Sequence, residues 1–471
     1  MMHTVKRWMA AALSLLILTI TPAHADLSFL MHTSGWNLDD TAVDVRLTAD
    51  VKTHMPFDDE RLAMLTPITD LLSLRLVTGQ NEGLLAIAME ETELLTLQYR
   101  GNAVQLSCQP EVTYTAQESP MNLLLGADVT AEGGYETLGI PRRSETLLTD
   151  GRLLLAKVPA AFADHGKQTK NTNTISGYGK AAYMMDYSFT TKQAEEFQAL
   201  LLDNCPEGWL KEIISGLSFS GKQTIRMYFT AEDVMLRMEY NGTCGAEGDL
   251  RTVKLVYKMR HDAEMDRDYI ELTSPARKGK NHNTLSFERM VQTDKSCALT
   301  MDGDFKYSLS KDGVTSTWDC RFSLKNAFTD EADVISGEIS LQTKLNGADK
   351  YNGVILAPML TLSGTQEAPI ITGTLEITEQ YAGKTTENAI VGIDLKQAGP
   401  LTWAERSRTV DLSAMDAEAL TATQQEAAAS VATVLVRPLI LRLGKDAQWF
   451  FRDLPEEGTQ AIIDAAASAA Q

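Results

Sequence analysis

The chain is short of positive charge, of cysteine and of histidine, and beyond its first twenty residues it has no long apolar run. Its 43 Lys and Arg stand against 63 Asp and Glu in 471 residues, a formal charge of −20. Such a surface repels nucleic acid and anionic membranes or wall polymers unless divalent cations bridge the two. No segment past the N-terminus approaches the roughly 18 to 20 apolar residues of a membrane-spanning helix. The 5 cysteines include no C-x-x-C pair, which removes zinc-ribbon and thioredoxin readings. Neither a zinc-binding H-E-x-x-H nor a nucleophile elbow G-x-S-x-G occurs. At 44% hydrophobic and 23% charged residues the composition is that of a globular protein, so wholesale disorder, collagen and a multi-span membrane protein are excluded.

What is present begins with an export signal over residues 1–25. Lys6 and Arg7 form its basic start, Trp8 to Ile20 its apolar stretch, and Ala23-His24-Ala25 its small-x-small cleavage site. The apolar stretch is too short to stay as an anchor. Asp26 is expected to begin a secreted or extracytoplasmic protein, two charges more negative than the precursor. No Cys follows the cleavage site, which argues against a lipid-modified N-terminus. Once exported, Cys108, Cys205, Cys244, Cys297 and Cys320 meet an oxidising compartment. Any of the five can be left over, with three pairings each; the local ones, Cys205 with Cys244 and Cys297 with Cys320, are expected, provided that the strand order brings the second pair within reach.

Alternation dominates the mature chain. Val43, Val45 and Leu47 interleave with Asp44 and Arg46; Val234, Leu236, Met238 and Tyr240 with Arg237 and Glu239; Val253, Leu255, Tyr257 and Met259 with Lys254 and Lys258. Period two with one polar face predicts antiparallel strands packed on one side. Asn241-Gly242, Asp302-Gly303, Asp312-Gly313, Asn346-Gly347 and Asn352-Gly353 are read as hairpin turns. Pro358, Pro369 and Pro400 are read as strand ends or edges.

Helical patterns are few. Asp58 can cap a helix carrying Leu65, Ile68 and Leu72, with Phe57 stapled to Leu62. Thr190-x-x-Gln193 is a capping box for a helix carrying Ala194, Phe197 and Leu201. A further helix is expected from Ser144, an alanine-rich one from Ser413 to about Pro438, and a last one opened by Pro455. The predicted fold is α+β, predominantly antiparallel β. Its segments are a strand-helix-meander unit over 26–140, a second over 141–330, a β meander over 331–405 and a C-terminal helical segment over 406–471.

Phe57-Asp58 and Phe189-Thr190, each closing a strand, opening a helix and leading into a meander, span Val43 to Cys108 and Tyr178 to Arg260. This order resembles the half-barrel architecture of bacterial lipoprotein and lipid carriers, which implies an apolar groove between helix and sheet. Asp26 departs from the lipidated Cys of that family's anchored members. In the second unit the groove residues are Phe197 and Leu201 from the helix and Met227, Phe229 and Met238 from the sheet, with Ile225, Val234 and Leu236 beside them. Two flexible methionines there suit a variable apolar guest.

Other motifs read as structure. Gly216 to Lys222 spells G-x4-G-K, but Gln223 replaces the Ser or Thr of a phosphate loop and the preceding segment is helical. Asp262, Glu264, Asp266 and Asp268 at spacing two could present four carboxylates to calcium, yet the helix-loop-helix calcium pattern fails, and a solvated acidic hairpin tip is preferred. Arg277-Lys278-Gly279-Lys280 reads as a solvated turn and Trp449-Phe450-Phe451 as rings docking a terminal helix. No catalytic, cofactor-binding or metal residue is assigned.

Three functional readings follow in order. The first is a secreted, non-enzymatic binding or carrier protein whose apolar groove takes a lipid or other apolar ligand. The second is a surface or matrix module that binds a protein partner, and the third a hydrolase with a dispersed site. Nucleic acid is not among the expected partners. Intact-mass measurement of the secreted protein is expected to show a chain starting at Asp26; a cytoplasmic protein retaining Met1 would refute the signal.

Overall fold

The computed structural model describes residues 29–33, 42–51, 72–78, 82–90, 92–117, 120–125, 166–204, 211, 214–245, 250–275, 282–311, 314–348, 350–381 and 384–443. The expected helices at Ser144 and Pro455, the Arg277 run, Cys205, the Trp449-Phe450-Phe451 knot and the Asp58 helix as far as Ile68 lie outside these residues; Leu72, expected on that last helix, instead begins the strand Leu72–Thr78.

The fold is α+β with antiparallel sheet predominating. Twenty strands form one sheet. An N-terminal meander comprises β1 (Val43–Val51), β2 (Leu72–Thr78), β3 (Glu82–Met89), β4 (Thr92–Arg100), β5 (Ala103–Leu106) and β6 (Val112–Thr115). Next come α1 (Pro120–Leu125), β7 (Gly166–Lys170) and a small hairpin, β8 (Thr174–Ile175) and β9 (Gly179–Lys180). The second meander holds β10 (Tyr183–Phe189), α2 (Thr191–Asn204), β11 (Ser218–Phe229), β12 (Met235–Gly245), β13 (Arg251–His261), β14 (Met265–Pro275) and β15 (His282–Thr293). It continues through β16 (Leu299–Lys311), β17 (Val314–Asn326), β18 (Ala332–Lys344), β19 (Asn352–Gly364), β20 (Pro369–Tyr381) and β21 (Lys384–Gln397). β22 (Arg408–Asp411) and α3 (Ala417–Leu443) follow.

From β10 to β21 each strand pairs with the next, and β7 flanks β10. β1 then adds antiparallel to β21 and leads the first meander onward, so the ladder crosses from the end of the chain to its beginning. β22 closes the series as a parallel neighbour of β6.

Period-two patterning sets the two faces. In β17, Cys320, Phe322 and Leu324 point to one face while Asp319, Arg321 and Ser323 point to the other. The apolar positions stay in phase across ladders: Met301 faces Leu324, Phe322 faces Ile339, and Ile339 faces Leu356. They form a buried cluster from β15 to β19 under which Ile371, Leu375 and Ile393 also pack. A second cluster covers the same face of β10 to β13, and a third that of β4 to β6, where α1 and α3 lie on it. The opposite face of β2 and β3 is covered instead by the segment 398–407. Ala398 and Leu401 pack on Val77 and Leu84. Gln98 and Arg100 donate to the carbonyls of Thr402 and Leu401, and Gln105 to that of Ala404.

Several sequence expectations change. Asn346-Gly347 is a turn with φ of 52° and 71°, and the expected turn Asp312-Gly313 lies outside the described residues. Asn241-Gly242, Asp302-Gly303 and Asn352-Gly353 instead lie inside β12, β16 and β19. Their glycines answer crowding: a Cβ on Gly303 would strike the Phe322 ring, and one on Gly242 the Gln223 amide. Pro358 lies within β19, where its missing N–H falls at a gap in the β18–β19 ladder opposite Gly337. Pro438 lies inside α3, since proline's φ is helical and it deletes one hydrogen bond without ending the helix. Cys108, Cys244, Cys297 and Cys320 are free thiols, so neither expected disulfide forms. Cys320 pairs opposite Phe305, six residues along β16 from Leu299 and so about 20 Å from it at strand rise, while Cys297 lies in the turn that precedes Leu299.

The start of the described chain is tied down by one buried carboxylate. Asp333 accepts the backbone N–H groups of Met31, His32 and Thr33 at 3.0, 2.9 and 3.0 Å. Asn326 donates to both Asp333 and the Phe29 carbonyl, which seats Phe29 and Leu30 on the β15–β19 cluster. Asp333→Ala should lower stability by about 3 kcal/mol, as hydrogen bonds to a charged group are lost. Urea unfolding measures this loss, and faster hydrogen exchange at Met31 to Thr33 identifies its origin.

Candidate functional site

The apolar face runs without interruption across the junction of the two meanders. Leu362 faces Ile371, which faces Leu395, then Val45, Leu76, Leu85, Leu97 and Leu106. One aliphatic row thus crosses eight strands from β19 to β5, about 34 Å at 4.8 Å per strand. A parallel row, Ile393, Leu47, Leu74 and Ile87, lies one pleat away. Both ends are covered, by the β15–β19 cluster on one side and by α1 and α3 on the other. The middle is open: Leu74, Leu76 and Leu85 are 37%, 41% and 37% exposed. Sequence reasoning missed this surface. Val45 and Leu47 stood out as strand residues, but nothing local says that they meet Leu395 and Ile393 from the far end of the chain.

On the same face the expected groove residues are brought together. Thr190 and Gln193 exchange backbone-to-side-chain hydrogen bonds of 2.9 and 3.4 Å, the capping box that starts α2. Phe197 of that helix packs with Met227, Phe229 and Met238, and its ring stacks on Phe189 at 5.7 Å. Phe229 stacks on Tyr183 at 5.1 Å. Leu201 lies in α2, its side chain outside the described atoms. Ile225 joins the cluster, whereas Val234 is exposed. A register shift between Tyr228 and Phe229 brings Met235 under the helix and moves Leu236 to a separate cluster with Ile175 and Tyr178. A cleft of about 390 Å³ beside the helix start is lined by Ser188, Phe189, Thr190, Thr191, Gly221 and Lys222. The G-x4-G-K motif ends there in a bulge: Gly221 has φ 69°, and buried Gln223 donates to the Ser220 and Thr243 carbonyls.

Between the two larger clusters the face turns polar. The β13–β14 turn is held by the Asp262 carboxylate, which accepts from the N–H of Glu264 and Met265 at 3.0 and 2.9 Å. It sets His261 opposite Asp266 and Met259 opposite Asp268, and β15 sets Arg289 opposite Asp268. Asp262 and Glu264 are exposed, as expected of a hairpin tip. Asp266 and Asp268 are 1% and 0% exposed, which corrects the solvated reading: the pleat that keeps Val291 and Met259 in the core turns these carboxylates in with them. His261 Nδ1 meets Asp266 Oδ1, its Nε2 lies 3.3 Å from Asp268 Oδ1, and Arg289 meets Asp266 Oδ2. The Tyr257 hydroxyl donates to Asp268 at 2.8 Å. Burial pulls the Arg289 guanidinium down from its ordinary range, opposed by the charge of Asp268.

No protein-family model and no curated protein matches this sequence. Among solved structures, the chain is similar to OmpT, an outer membrane protein of Vibrio cholerae in its trimer form, at 9% identity and a TM-score of 0.25, over 76% of this chain and 98% of that one. It is also similar to OpdQ of Pseudomonas aeruginosa at 6% identity and a TM-score of 0.17, over 76% and 96% of the two chains. Neither likeness is close enough to carry an argument.

The packing around Phe229 makes its truncation a measure of how dry this region is. Phe229→Ala should cost about 3 to 5 kcal/mol in chemical denaturation, the range of a filled core; a loss near 1 kcal/mol would mean that the helix stands off the sheet.

Proposed function

We propose that the protein is a non-enzymatic, extracytoplasmic binding or carrier protein that holds an apolar ligand of acyl-chain character on its aliphatic face. The observation that carries this reading is the open middle of the Leu362-to-Leu106 row, where Leu74, Leu76 and Leu85 reach solvent between two covered stretches. The neighbouring positions Val45, Leu47, Ile87, Ile393 and Leu395 are all aliphatic. Protein-binding hot spots favour Trp, Tyr and Arg, and the absence of all three from these eight positions suits hydrocarbon better than a protein surface. The polar face argues against strands that face lipid. In β17 the exposed Arg321 and Ser323 lie on the face opposite the buried Cys320, Phe322 and Leu324, whereas a membrane barrel turns its apolar side outward. The resemblance to lipid carriers implies an apolar ligand as well, there in a groove between helix and sheet, and the expected export signal supports an extracytoplasmic site of action.

The natively purified mature protein should yield a lipid on organic extraction and mass spectrometry, and should bind N-phenyl-1-naphthylamine with a rise in fluorescence. Leu76→Lys and Leu85→Lys, at already exposed positions, should abolish the fluorescence rise with little change in stability, and Phe229→Ala should retain it. A protein with no extractable lipid and no probe response would sink the reading.

A further inference from the structure

We propose that His261, Asp266 and Asp268 form a binding site for a divalent cation of the zinc class. One ligand atom from each lies within 4.8 Å of the others. The three come from two adjacent strands joined by a capped turn, so their placement rests on ladder and turn geometry and not on long flexible side chains.

Charge balance gives the first reason. Two carboxylates at 1% and 0% exposure stand beside a single buried guanidinium, Arg289. Carboxylates held this close in the core repel one another, and a cation placed between them relieves the repulsion. The donor set gives the second. One imidazole and two carboxylates match the nitrogen and oxygen ligands of zinc and its neighbours, whereas calcium takes six to eight oxygens. Arg289 gives the third and independent one. It is 7% exposed, one of its terminal nitrogens holds Asp266 Oδ2, and its Nε has no hydrogen-bond partner among the described residues. A metal ligand carboxylate is commonly held by such an outer partner, and the unused donor beside it suits an oxygen ligand carried by the ion. The His261 side chain, 21% exposed, keeps the site in contact with solvent.

The full mature protein, purified without chelators, is analysed for metals by mass spectrometry, then stripped by dialysis and titrated with Zn2+ in a calorimeter. One equivalent of zinc per chain is expected. His261→Ala and Asp268→Asn should each weaken binding about 100-fold or more, beyond what loss of an outer partner costs, while Glu264→Gln on the exposed turn should bind as the wild type does. If those variants fail to fold, as judged by near-ultraviolet circular dichroism, the stripped wild type loaded with Co2+ decides: intense visible bands of low-coordinate Co2+ support the site, and the spectrum of the aqueous ion overturns it. Wild-type protein that takes up no metal, or a folded His261→Ala variant that binds zinc as tightly as wild type, also overturns it.

Discussion

The ladder between β1 and β21 is the contact on which the rest of the molecule depends. Nine residue pairs, from Val43 with Gln397 to Val51 with Ala389, join the first described strand to the last strand of the long meander. Without it β1 to β6 would be a separate small sheet, with Val45 and Leu47 at an edge and paired only with Leu76 and Leu74. Closing so long a loop costs only slightly more than closing a short one, because the entropy grows with the logarithm of length. The price falls on kinetics, since non-local strand pairing is slow to find. The parallel pairing of β22 with β6 repeats the device and brings α3 onto the β4–β6 face.

Once that ladder is in place, the faces of the sheet are common property of all its strands, and what differs along it is the cover. From β15 to β19 the apolar face carries the buried cluster. At β2 and β3 the arrangement reverses. The 398–407 segment, held by the carboxamides of Gln98 and Gln105 and the guanidinium of Arg100, covers Val77 and Leu84 and leaves Leu74, Leu76 and Leu85 uncovered. The same continuity explains the buried charges. Asp266 and Asp268 occupy pleat positions that belong to the core, so the chain meets their desolvation with Arg289, His261 and the Tyr257 hydroxyl, and not by exposure.

Local chemistry reads well where it is short-range. The Thr190–Gln193 capping box, the Asn346-Gly347 turn and the alternation of β1 and β13 involve neighbours within a few residues, and each takes the expected form. The misread positions share a different origin. Gly242, Gly303 and Pro358 have turn chemistry, but a glycine also serves where a ring or an amide from another strand presses on the backbone, and a proline is tolerated where the ladder already has a gap. Leu236 changed sides because of a single bulge, and no local pattern reports one.

Sequence alone therefore determined the sheet-dominated class, the α2 helix and the residues that meet beneath it, because each follows from periodicity or from contacts made within one stretch of chain. Only tertiary structure decided the aliphatic row and the His261 cluster. The row draws its eight members from the two meanders at opposite ends of the sequence, and the cluster depends on whether the pleat turns Asp266 and Asp268 toward core or solvent. Both are matters of register between strands, and a shift of one residue would send every side chain to the opposite face.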